Sequence, residues 1–372
     1  MTGTVDLVFD FHSIQSAIDA AGEGDTIIVA AGTYNETIDV ATSDLTIQSV
    51  SGNPSDTTID GSGLGVDGGV TLDNVVTIAN CSGVTLSGFT ITGVIEGRTG
   101  FTEGNGILME GAAGCTISNI VVTKINQPAV HNWNGGICLT EGSTGNSFDS
   151  VEVSGMKSKQ PCGILIDSGS DSNTFKSTTI SGITSYPVQG GQAKGIWVNG
   201  AENNKFVDTK VTDITGFSGA EGINANGKGN TFTSTEVSGI QTSKRRAVGI
   251  QIHQTAGVEF SDYHVSDITA TDSEFYSSGI RVKDGVTDCT FSSGSITGAG
   301  IGFFVDSSGD PCTGNSIHNT NLAGNTDWGV KNDVVDETLD AANNWWGTTV
   351  DADIQAMISG NVLYIPISTE PY

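Results

Sequence analysis

The stretch Gly195–Gly200 reads GIWVNG, and similar Gly-Ile segments recur along most of the chain. In this segment Ile196 and Val198 alternate with Gly195, Trp197 and Asn199, which predicts a strand with its aliphatic side chains on one face. Related segments begin at Gly106 (GILME), Gly136 (GICLT), Gly163 (GILID), Gly222 (GINAN), Gly249 (GIQIH), Gly279 (GIRVK) and Gly300 (GIGFF). From Gly106 onward, successive segments begin 30, 27, 32, 27, 27, 30 and 21 residues apart. The chain is therefore a repeat protein.

Each repeat carries signals for two more short strands. A polar turn follows the Gly-Ile strand, then an apolar signal such as NSF, NTF or NKF, and then a third such as VEVSGM or KVTDI. A period in the twenties to low thirties without a helical pattern is typical of one coil of a parallel β-helix, because a coil buries its apolar face only by stacking on its neighbours. We predict an all-β fold, a single-stranded parallel β-helix, or solenoid.

One position of the repeat predicts a structural ladder of amides. Asn146, Asn173, Asn204 and Asn230 occupy the same slot, just before the second strand. Stacked side-chain amides can hydrogen-bond from coil to coil and satisfy turn backbone that faces the interior. We assign this ladder a structural role.

Cysteines occupy or flank the same slot in other coils. Cys115 and Cys289 replace Asn there, and Cys81 and Cys312 fall near it in adjacent coils. Neighbouring coils lie about 4.8 Å apart, within the Cα separation that a disulfide accepts. Disulfides Cys81–Cys115 and Cys289–Cys312 are one hypothesis, and buried, unbonded cysteines are the other. The even number of cysteines and their placement favour an oxidising compartment.

The N-terminal region has a helical pattern that the repeats lack. Ile14, Ala17, Ile18 and Ala21 lie at helical spacing, the pattern stops at Gly22, and the strand TIIVA follows. An open stack of strands needs such a cover, because its end would otherwise pair with other chains. We predict a short N-terminal capping helix and one domain over residues 1–372. Residues 1–50 would form the N-terminal cap and first strands, 74–325 the regular coils, and 326–372 the C-terminal cap.

Two terminal segments carry a family resemblance. The segment IQSAIDAAGEGDTIIVAAGTYNETIDV, with DLTIQSV and GVTLSGFTITG after it, resembles the opening of right-handed β-helix proteins of the pectin-lyase-like superfamily. The segment NNWWGTTVDADIQAMISGNVLYIPI is similar to the closing segment of many secreted members. The resemblance covers nearly the whole chain and implies a right-handed coil. It also implies a substrate cleft along the sheet of Gly-Ile strands, although such scaffold motifs say little about activity.

The outward positions of the Gly-Ile strands form two columns of side chains. The first column is Leu108, Cys138, Leu165, Trp197, Asn224, Gln251 and Arg281, and the second is Glu110, Thr140, Asp167, Asn199, Asn226, His253 and Lys283. An indole beside amides suits a sugar, which offers a flat C–H face and hydroxyls that both donate and accept hydrogen bonds. Trp197 is therefore a candidate stacking platform, unless a loop covers the indole and makes it part of a local core.

The loops that precede the Gly-Ile strands add aromatic and basic residues. They contribute Trp133 and Tyr276, and the only basic triplet of the chain, Lys244, Arg245 and Arg246. Together with Arg281, Lys283 and His253, the triplet concentrates positive charge on two or three adjacent coils, which would attract a uronate or a sulfate. A solvated loop that balances local carboxylates is the alternative. The predicted substrate-binding residues are Trp197, Asn199, Asn224, Asn226, Gln251, Trp133, Arg245, Arg246 and Tyr276.

Two reaction types fit these residues. In β-elimination a base removes the proton beside a uronate carboxylate while cations offset the developing charge; His253 or Lys283 could be the base, and Arg281, Arg245 or Arg246 the cation. Inverting hydrolysis needs two carboxylates about 6.5–9.5 Å apart, and Glu110 and Asp167 lie two coils, or about 9.6 Å, apart. The full carboxylate and histidine motifs of polygalacturonase-like hydrolases, the Asp-His signature of mannuronan epimerases and the aspartate cluster of pectate lyases are missing.

Composition limits the partners. The 372 residues include 42 acidic and 15 basic side chains, so the formal net charge is -27, which makes nucleic acid and anionic membrane surfaces poor partners. No apolar run is long enough to span a membrane, and the first residues do not read as a signal peptide, so an exported protein would have lost its leader. We expect a secreted or cell-surface protein that binds a polysaccharide and needs no cofactor, with Ca²⁺ as an optional ion. A non-catalytic adhesin or carbohydrate-binding β-helix is the alternative to a polysaccharide lyase or glycoside hydrolase.

Overall fold

A computed structural model describes residues 11–62, 74–94, 104–126, 133–272 and 274–372, the side chain of Trp133 excepted. The helices are Ile14–Ala20 (α1) and Asp351–Ala356 (α2), and Pro54–Asp56 forms a single 3₁₀ turn. All other regular structure in these residues is β-strand, in agreement with the predicted all-β class.

The strands follow one another along the chain. Those of the N-terminal half are Thr26–Val29 (β1), Gly32–Tyr34 (β2), Ile38–Val40 (β3), Thr46–Ser49 (β4), Thr57–Asp60 (β5), Asn74–Ala79 (β6), Thr85–Val94 (β7), Asn105–Glu110 (β8), Thr116–Asn126 (β9), Trp133–Thr140 (β10), Ser147–Ser154 (β11), Lys157–Ser158 (β12), Gln160–Asp167 (β13) and Thr174–Ser185 (β14). Those of the C-terminal half are Gln192–Asn199 (β15), Lys205–Gly216 (β16), Gly219–Asn226 (β17), Thr231–Thr242 (β18), Ala247–His253 (β19), Glu259–Ala270 (β20), Ser277–Lys283 (β21), Thr290–Thr297 (β22), Ile301–Val305 (β23), Ser316–Asn321 (β24), Trp328–Asn332 (β25), Leu339–Asp340 (β26), Ile358–Ser359 (β27) and Val362–Leu363 (β28).

These strands form two long parallel sheets. The eight Gly-Ile strands all lie in a sheet of order β27-β25-β23-β21-β19-β17-β15-β13-β10-β8-β6-β3, which we call the Gly-Ile sheet. The second and third strand signals of each repeat merge into longer strands such as β16 and β18, and these build the opposite sheet, β1-β4-β7-β9-β11-β14-β16-β18-β20-β22-β24-β26-β28 with β2, β5 and β12 beside it. The predicted parallel β-helix is confirmed.

Close backbone approach explains the glycine of the Gly-Ile segments. A Cβ atom built on Gly195 would lie 2.3 Å from Cγ1 of Val211 and 2.5 Å from the carbonyl oxygen of Gly222. Both distances are too short for any side chain, so residues larger than glycine are excluded at this corner of the coil. Gly195 and Ile196 thus both face the interior, and the simple alternation predicted from GIWVNG fails at its first residue.

The interior is filled by like residues stacked from coil to coil. Rings of the second strand signal pack face to face with centroids 4.3–5.5 Å apart, in the order Phe148, Phe175, Phe206, Phe232, Phe260 and Phe291. The predicted asparagine ladder is present as well. Asn173 Oδ1 accepts from the backbone N–H of Asn146 at 2.9 Å, and Asn204 Oδ1 accepts from that of Asn173 at 2.9 Å.

The N-terminal end carries the predicted capping helix. Helix α1 buries Ile14, Ala17 and Ile18 and packs against β1 and β3. Its first N–H groups, at Ile14 and Gln15, donate to the two carboxylate oxygens of Glu36 at 2.8 and 2.9 Å. No helix among the described residues is long and apolar enough to cross a membrane. The predicted division into two caps and a coil region remains a prediction.

The cysteine prediction resolves in favour of unbonded thiols. All six cysteines are free and buried, so the Cys81–Cys115 and Cys289–Cys312 disulfides are not formed. Cys81 precedes the ladder slot by three residues, and its Sγ lies 3.6 Å from the carbonyl oxygen of Val40, whereas Sγ of Cys115 lies 3.7 Å from that of Ala113. Burial raises the pKa of Cys81 to about 11, so the thiol stays protonated. The cysteines thus give no argument for an oxidising compartment.

Candidate functional site

The two outward columns predicted from sequence lie in register on the Gly-Ile sheet. Trp197 pairs with Leu165 on one side and Asn224 on the other, and Gln251 pairs with Asn224 and Arg281. In the second column Asn199 pairs with Asp167 and Asn226, and His253 pairs with Lys283. Side chains of the second column that lie 173 residues apart in sequence, from Glu110 to Lys283, are thereby gathered on one face by parallel stacking.

Exposure differs sharply along these columns. Asn224, Gln251 and Arg281 are buried, with 4%, 7% and 4% of their surface exposed, although they point away from the core. The remaining predicted residues of the columns, namely Glu110, Asp167, Trp197, Asn199, Asn226, His253 and Lys283, are partly exposed.

A cleft of about 360 Å³ lies over strands β15 to β21. Its walls include Lys194, Glu221, Arg245, Arg246 and Arg281, together with Gln251 and Phe275. Lys194 and Glu221 pair in register and belong to a third outward column, which immediately precedes the inward-facing glycines. Sequence reasoning missed this column because strict alternation predicts that residue 194 faces inward. The glycine that regularly precedes the isoleucine was the sequence signal that could have revealed this break in the inward–outward alternation.

The carboxylate of Glu221 is the centre of a hydrogen-bond network. It lies 3.5 Å from Nζ of Lys194 and accepts from the Asn224 amide at 2.6 Å and from the Gln251 amide at 3.1 Å. Burial acts to raise the pKa of Glu221, but Lys194, the Asn224 amide and His253 outweigh it, so the pKa lies below its usual value. Glu221 is therefore ionised at neutral pH and can only accept hydrogen bonds.

Arg281 connects this network to a second carboxylate. Its Nη1 donates to Gln251 Oε1 at 3.0 Å, its Nε donates to Asp306 Oδ2 at 2.9 Å, and its Nη2 donates to the same oxygen. Burial acts to raise the pKa of Asp306, and the Arg281 hydrogen bonds and the Ser308 backbone N–H lower it below its usual value. The Arg281 guanidinium is thus held by the protein, which limits its use as a substrate cation.

His253 lies at the exposed edge of the network. Its Nε2 is 2.9 Å from Oδ1 of Asn224, whose amide group donates to Glu221. Burial and the charge of Lys283 lower the pKa of His253, against the opposing pull of Glu221 and Asp284. The imidazole is neutral at neutral pH, which is the state a general base requires.

Arginines and aromatic rings form the rim of the cleft. Arg245 and Arg246 are exposed in the turn between β18 and β19. The Arg246 guanidinium lies over the ring of Tyr276, 5.1 Å from its centroid, and the Tyr276 ring packs edge-on against Phe304 at 5.3 Å. Burial raises the pKa of Tyr276, which keeps the phenol neutral. This rim leaves Arg245 available for an anionic group.

The predicted platform, Trp197, is half-buried beside the cleft. The ammonium group of Lys194 lies over its ring, 4.9 Å from the centroid, and one face of the indole is therefore in contact with a cation. A sugar ring that stacked on this tryptophan would lie against the other face. Trp133 begins strand β10, and its side chain falls outside the described residues.

The two carboxylates predicted for hydrolysis lie away from the basic cleft. Asp167 Oδ1 accepts from the side-chain amide of Asn199 at 2.8 Å and from the backbone of Ser168 at 3.0 Å. Glu110 lies two strands further along the same column. Lys283, the alternative base, donates to the adjacent Asp284. No group of three or more metal-ligating side chains is found in the part of the chain that the structure describes.

Comparison with solved structures identifies the fold. The catalytic domain of a GH87 α-1,3-glucanase in complex with tetrasaccharides matches with a TM-score of 0.62 and 15% identity, over 97% of this chain and 66% of that chain. The Dettilon tailspike protein matches with a TM-score of 0.64 and 13% identity, over 95% of this chain and 64% of that one. The chain thus spans slightly less than two thirds of either structure. No family model and no curated protein sequence matches it. The chain has the right-handed parallel β-helix fold of these proteins.

Proposed function

We propose that the protein binds an acidic polysaccharide in the basic cleft of the Gly-Ile sheet and cleaves it by β-elimination. The observation that carries the proposal is the cleft itself, where Arg245 and Arg246 are exposed in a chain of net charge -27, whereas Lys194 and Arg281 are paired with Glu221 and Asp306. The negative charge of the rest of the protein surface repels polyanions, whereas the positive charge of the cleft attracts them. An acidic polysaccharide is therefore concentrated at the cleft. Binding to a polysaccharide is consistent with the two structural neighbours, an α-1,3-glucanase in complex with tetrasaccharides and a tailspike protein.

The residues of the site fall into two groups, those that would bind the charged groups of the polysaccharide and those that would bind its sugar rings. Arg245 is exposed and has the fork geometry that suits a carboxylate or a sulfate. Trp197, Asn199 and Asn226 offer a ring face and amides on the adjoining part of the sheet, where a neutral portion of the chain would lie. A uronate-containing polysaccharide fits this arrangement, because its carboxylates can bind the arginine while its sugar rings stack on the indole.

The chemistry would use His253 as base. In β-elimination the base takes the proton from the carbon beside the uronate carboxylate, a double bond forms between that carbon and its neighbour, and the bond to the glycosidic oxygen breaks. The neutral His253 imidazole accepts the proton, and Lys283 on the next strand offsets the charge that develops on the carboxylate. The departing oxygen then takes a proton from solvent.

A second candidate is hydrolysis at Glu110 and Asp167. The spacing of two strands, about 9.6 Å, lies just above the upper limit of about 9.5 Å for the inverting mechanism. The glucanase likeness favours a hydrolase only as a fold-level analogy. A non-catalytic binding protein is the third reading, and it predicts binding without any product.

The decisive experiment is an assay against polyuronates, sulfated polysaccharides and neutral glucans, followed for both ultraviolet absorbance of unsaturated ends and new reducing ends. We expect unsaturated ends from a polyuronate, and loss of about 10²–10⁴-fold in kcat in His253→Ala. Because the base works unprotonated and its pKa is lowered, activity should persist into mildly acidic pH and fall only when His253 protonates.

The matched control is Asn226→Ala, which removes a partly exposed amide from the same column and should affect binding more than kcat. If the polymer yields new reducing ends without ultraviolet absorbance, and these ends are lost in Glu110→Gln and Asp167→Asn, the reaction is hydrolysis and not elimination. Binding with no product from any polymer would leave a carbohydrate-binding protein.

A further inference from the structure

Glu221 and His253 are linked through a single amide. Asn224 donates from Nδ2 to Glu221 Oε2 at 2.6 Å, and its Oδ1 faces Nε2 of His253 at 2.9 Å. Asn224 is 4% exposed, so water does not compete for either contact. The three residues come from two neighbouring strands, β17 and β19, and the register that pairs them is fixed by the stacked coils.

The direction of each hydrogen bond follows from the charge of Glu221. An ionised carboxylate only accepts, so Asn224 must present its NH₂ group to Glu221 and its oxygen to His253. That oxygen only accepts in turn, so Nε2 of His253 must carry the proton. In the neutral ring the other nitrogen, Nδ1, then holds the lone pair. No hydrogen-bond partner of Nδ1 is found among the described residues.

We propose that Glu221 and Asn224 are positioning residues that hold His253 in its Nε2-protonated tautomer and so reserve Nδ1 as the proton acceptor. The use of Nδ1 in catalysis rests on the proposed elimination, whereas the tautomer itself does not. When Nδ1 accepts a proton, the positive ring keeps its Nε2–H bond to Asn224, and the charge of Glu221 stabilises it from the far side of the amide.

The charges around His253 act in opposite directions. Lys283 in the next strand and Lys194 disfavour the protonated ring, while Glu221 and Asp284 favour it. Removing the charge of Glu221 should therefore lower the pKa of His253 further. It should also free the Asn224 amide to rotate, because a neutral partner can donate as well as accept.

The test is ¹⁵N NMR of histidine-labelled protein, with the His253 signals assigned by His253→Gln. We expect the wild-type spectrum at neutral pH to show a single Nε2-protonated tautomer for His253. Asn224→Leu and Glu221→Gln should each yield a mixture of tautomers, and Glu221→Gln should also titrate at lower pH. The matched control is Asn226→Leu, an amide on the same strand without a described contact to His253, which should leave the spectrum of His253 unchanged.

An Nδ1-protonated ring in the wild-type protein would overturn the proposal, as would an unchanged tautomer in both variants with the fold intact by circular dichroism. These measurements need no substrate, so a protein that cleaves no polysaccharide could still confirm the tautomer and would refute only the elimination. If a uronate polymer is cleaved, Glu221→Gln should lower kcat about tenfold or more and move the acid limb of the pH profile to lower pH. A merely structural role of Glu221 would not move that limb.

Discussion

Arg281 shows at the scale of a single residue how a side chain predicted to meet substrate is held by the protein. The residue is 4% exposed, and its guanidinium donates to Gln251 on one neighbouring strand and to Asp306, which directly follows the other. The outward direction of the residue was correct, but the sequence did not reveal that Asp306 would accept from it. Asp306 belongs to the segment after GIGFF, which does not resemble the other repeats.

Removal of Asp306 should destabilise the protein severely. Asp306→Ala leaves the buried Arg281 charge without its partner, and the loss of one member of a buried pair costs about 3–5 kcal/mol. The free energy of unfolding, measured by urea denaturation at neutral pH, should fall by that amount. Because the pKa of Asp306 is lowered by folding, its stabilisation is complete above the usual carboxyl pKa and is lost as the pH falls below it. Wild type and variant should therefore converge in acid.

Asp333→Ala is the matched control for that variant. Asp333 lies 2.8 Å from Lys331, but the two side chains are 34% and 23% exposed, so the pair is screened by water. Such a pair contributes about 0–1 kcal/mol. Equal losses in the two variants would contradict the burial argument.

The missed residues have a common cause at this scale. Lys194 and Glu221 precede the glycine of their segments, and strict alternation assigns both to the interior. The glycine breaks the alternation because the backbone of the next coil approaches it to within 2.5 Å of a would-be Cβ. An alternating sequence pattern predicts the direction of a side chain only where every residue follows the two-residue period of a strand. The residues at this corner of the coil do not follow that period.

At the scale of an element, the asparagine ladder joins consecutive coils through buried amides. Asn173 accepts from the backbone and the amide of Asn146, and its Nδ2 donates to the carbonyl oxygens of Ser143 and Ser170. The sequence predicted this ladder because the slot is filled by one residue type at one position of four successive repeats. Each amide replaces hydrogen bonds that the turn backbone cannot make with water.

Asn173→Ala should be costly, because it leaves the backbone N–H of Asn146 and two buried carbonyl oxygens without their partner. Each unsatisfied group costs about 1–3 kcal/mol, so we expect the free energy of unfolding to fall by at least about 2 kcal/mol. Thermal or urea unfolding followed by circular dichroism measures this loss.

The control for the ladder is Asn226→Ala on the Gly-Ile sheet, whose partly exposed amide has no described hydrogen bond and should change stability little. Hydrogen exchange adds a local readout, since the N–H of Asn146 should lose protection in Asn173→Ala and keep it in the control. A ladder variant as stable as the control would mean that water enters the turn and replaces the amide.

The cysteines show where prediction from the position in the repeat fails. Similar spacing placed Cys81 near Cys115, but a coil rise of about 4.8 Å constrains only Cα atoms. The direction of each Sγ depends on whether the residue occupies the ladder slot or precedes it by three positions. Those two positions present their side chains to different neighbours, which one sequence does not reveal.

At the scale of the whole molecule, repetition made the fold predictable and the chemistry difficult to predict. Eight Gly-Ile segments of similar length determine a stack of parallel coils, so the register of the exposed columns followed from counting. The cleft depends instead on loops whose lengths differ between repeats, such as those holding Arg246 and Tyr276, and on hydrogen bonds across three or four strands. These are long-range contacts between residues that share no local pattern.

The same stack of coils carries a large negative net charge. The net charge of -27 comes with only 15 basic side chains, so few attractive pairs are available to offset repulsion among 42 carboxylates. The folded state brings these charges closer together than the unfolded chain does, and it is therefore destabilised by its own field at low ionic strength.

Salt should consequently stabilise the fold. The screening length falls from about 30 Å at 0.01 M to about 3 Å at 1 M ionic strength, which removes repulsion between coils while exposed pairs such as Lys210–Glu236 lose about 1 kcal/mol or less. The midpoint of urea unfolding should rise steadily with NaCl over this range. A variant with Glu152→Gln, Glu259→Gln and Glu274→Gln, three exposed carboxylates exchanged for amides, should unfold at higher urea in low salt and respond less to added salt. A midpoint that fell with salt would show that local ion pairs, and not the summed charge of the stack, dominate the electrostatics of this protein.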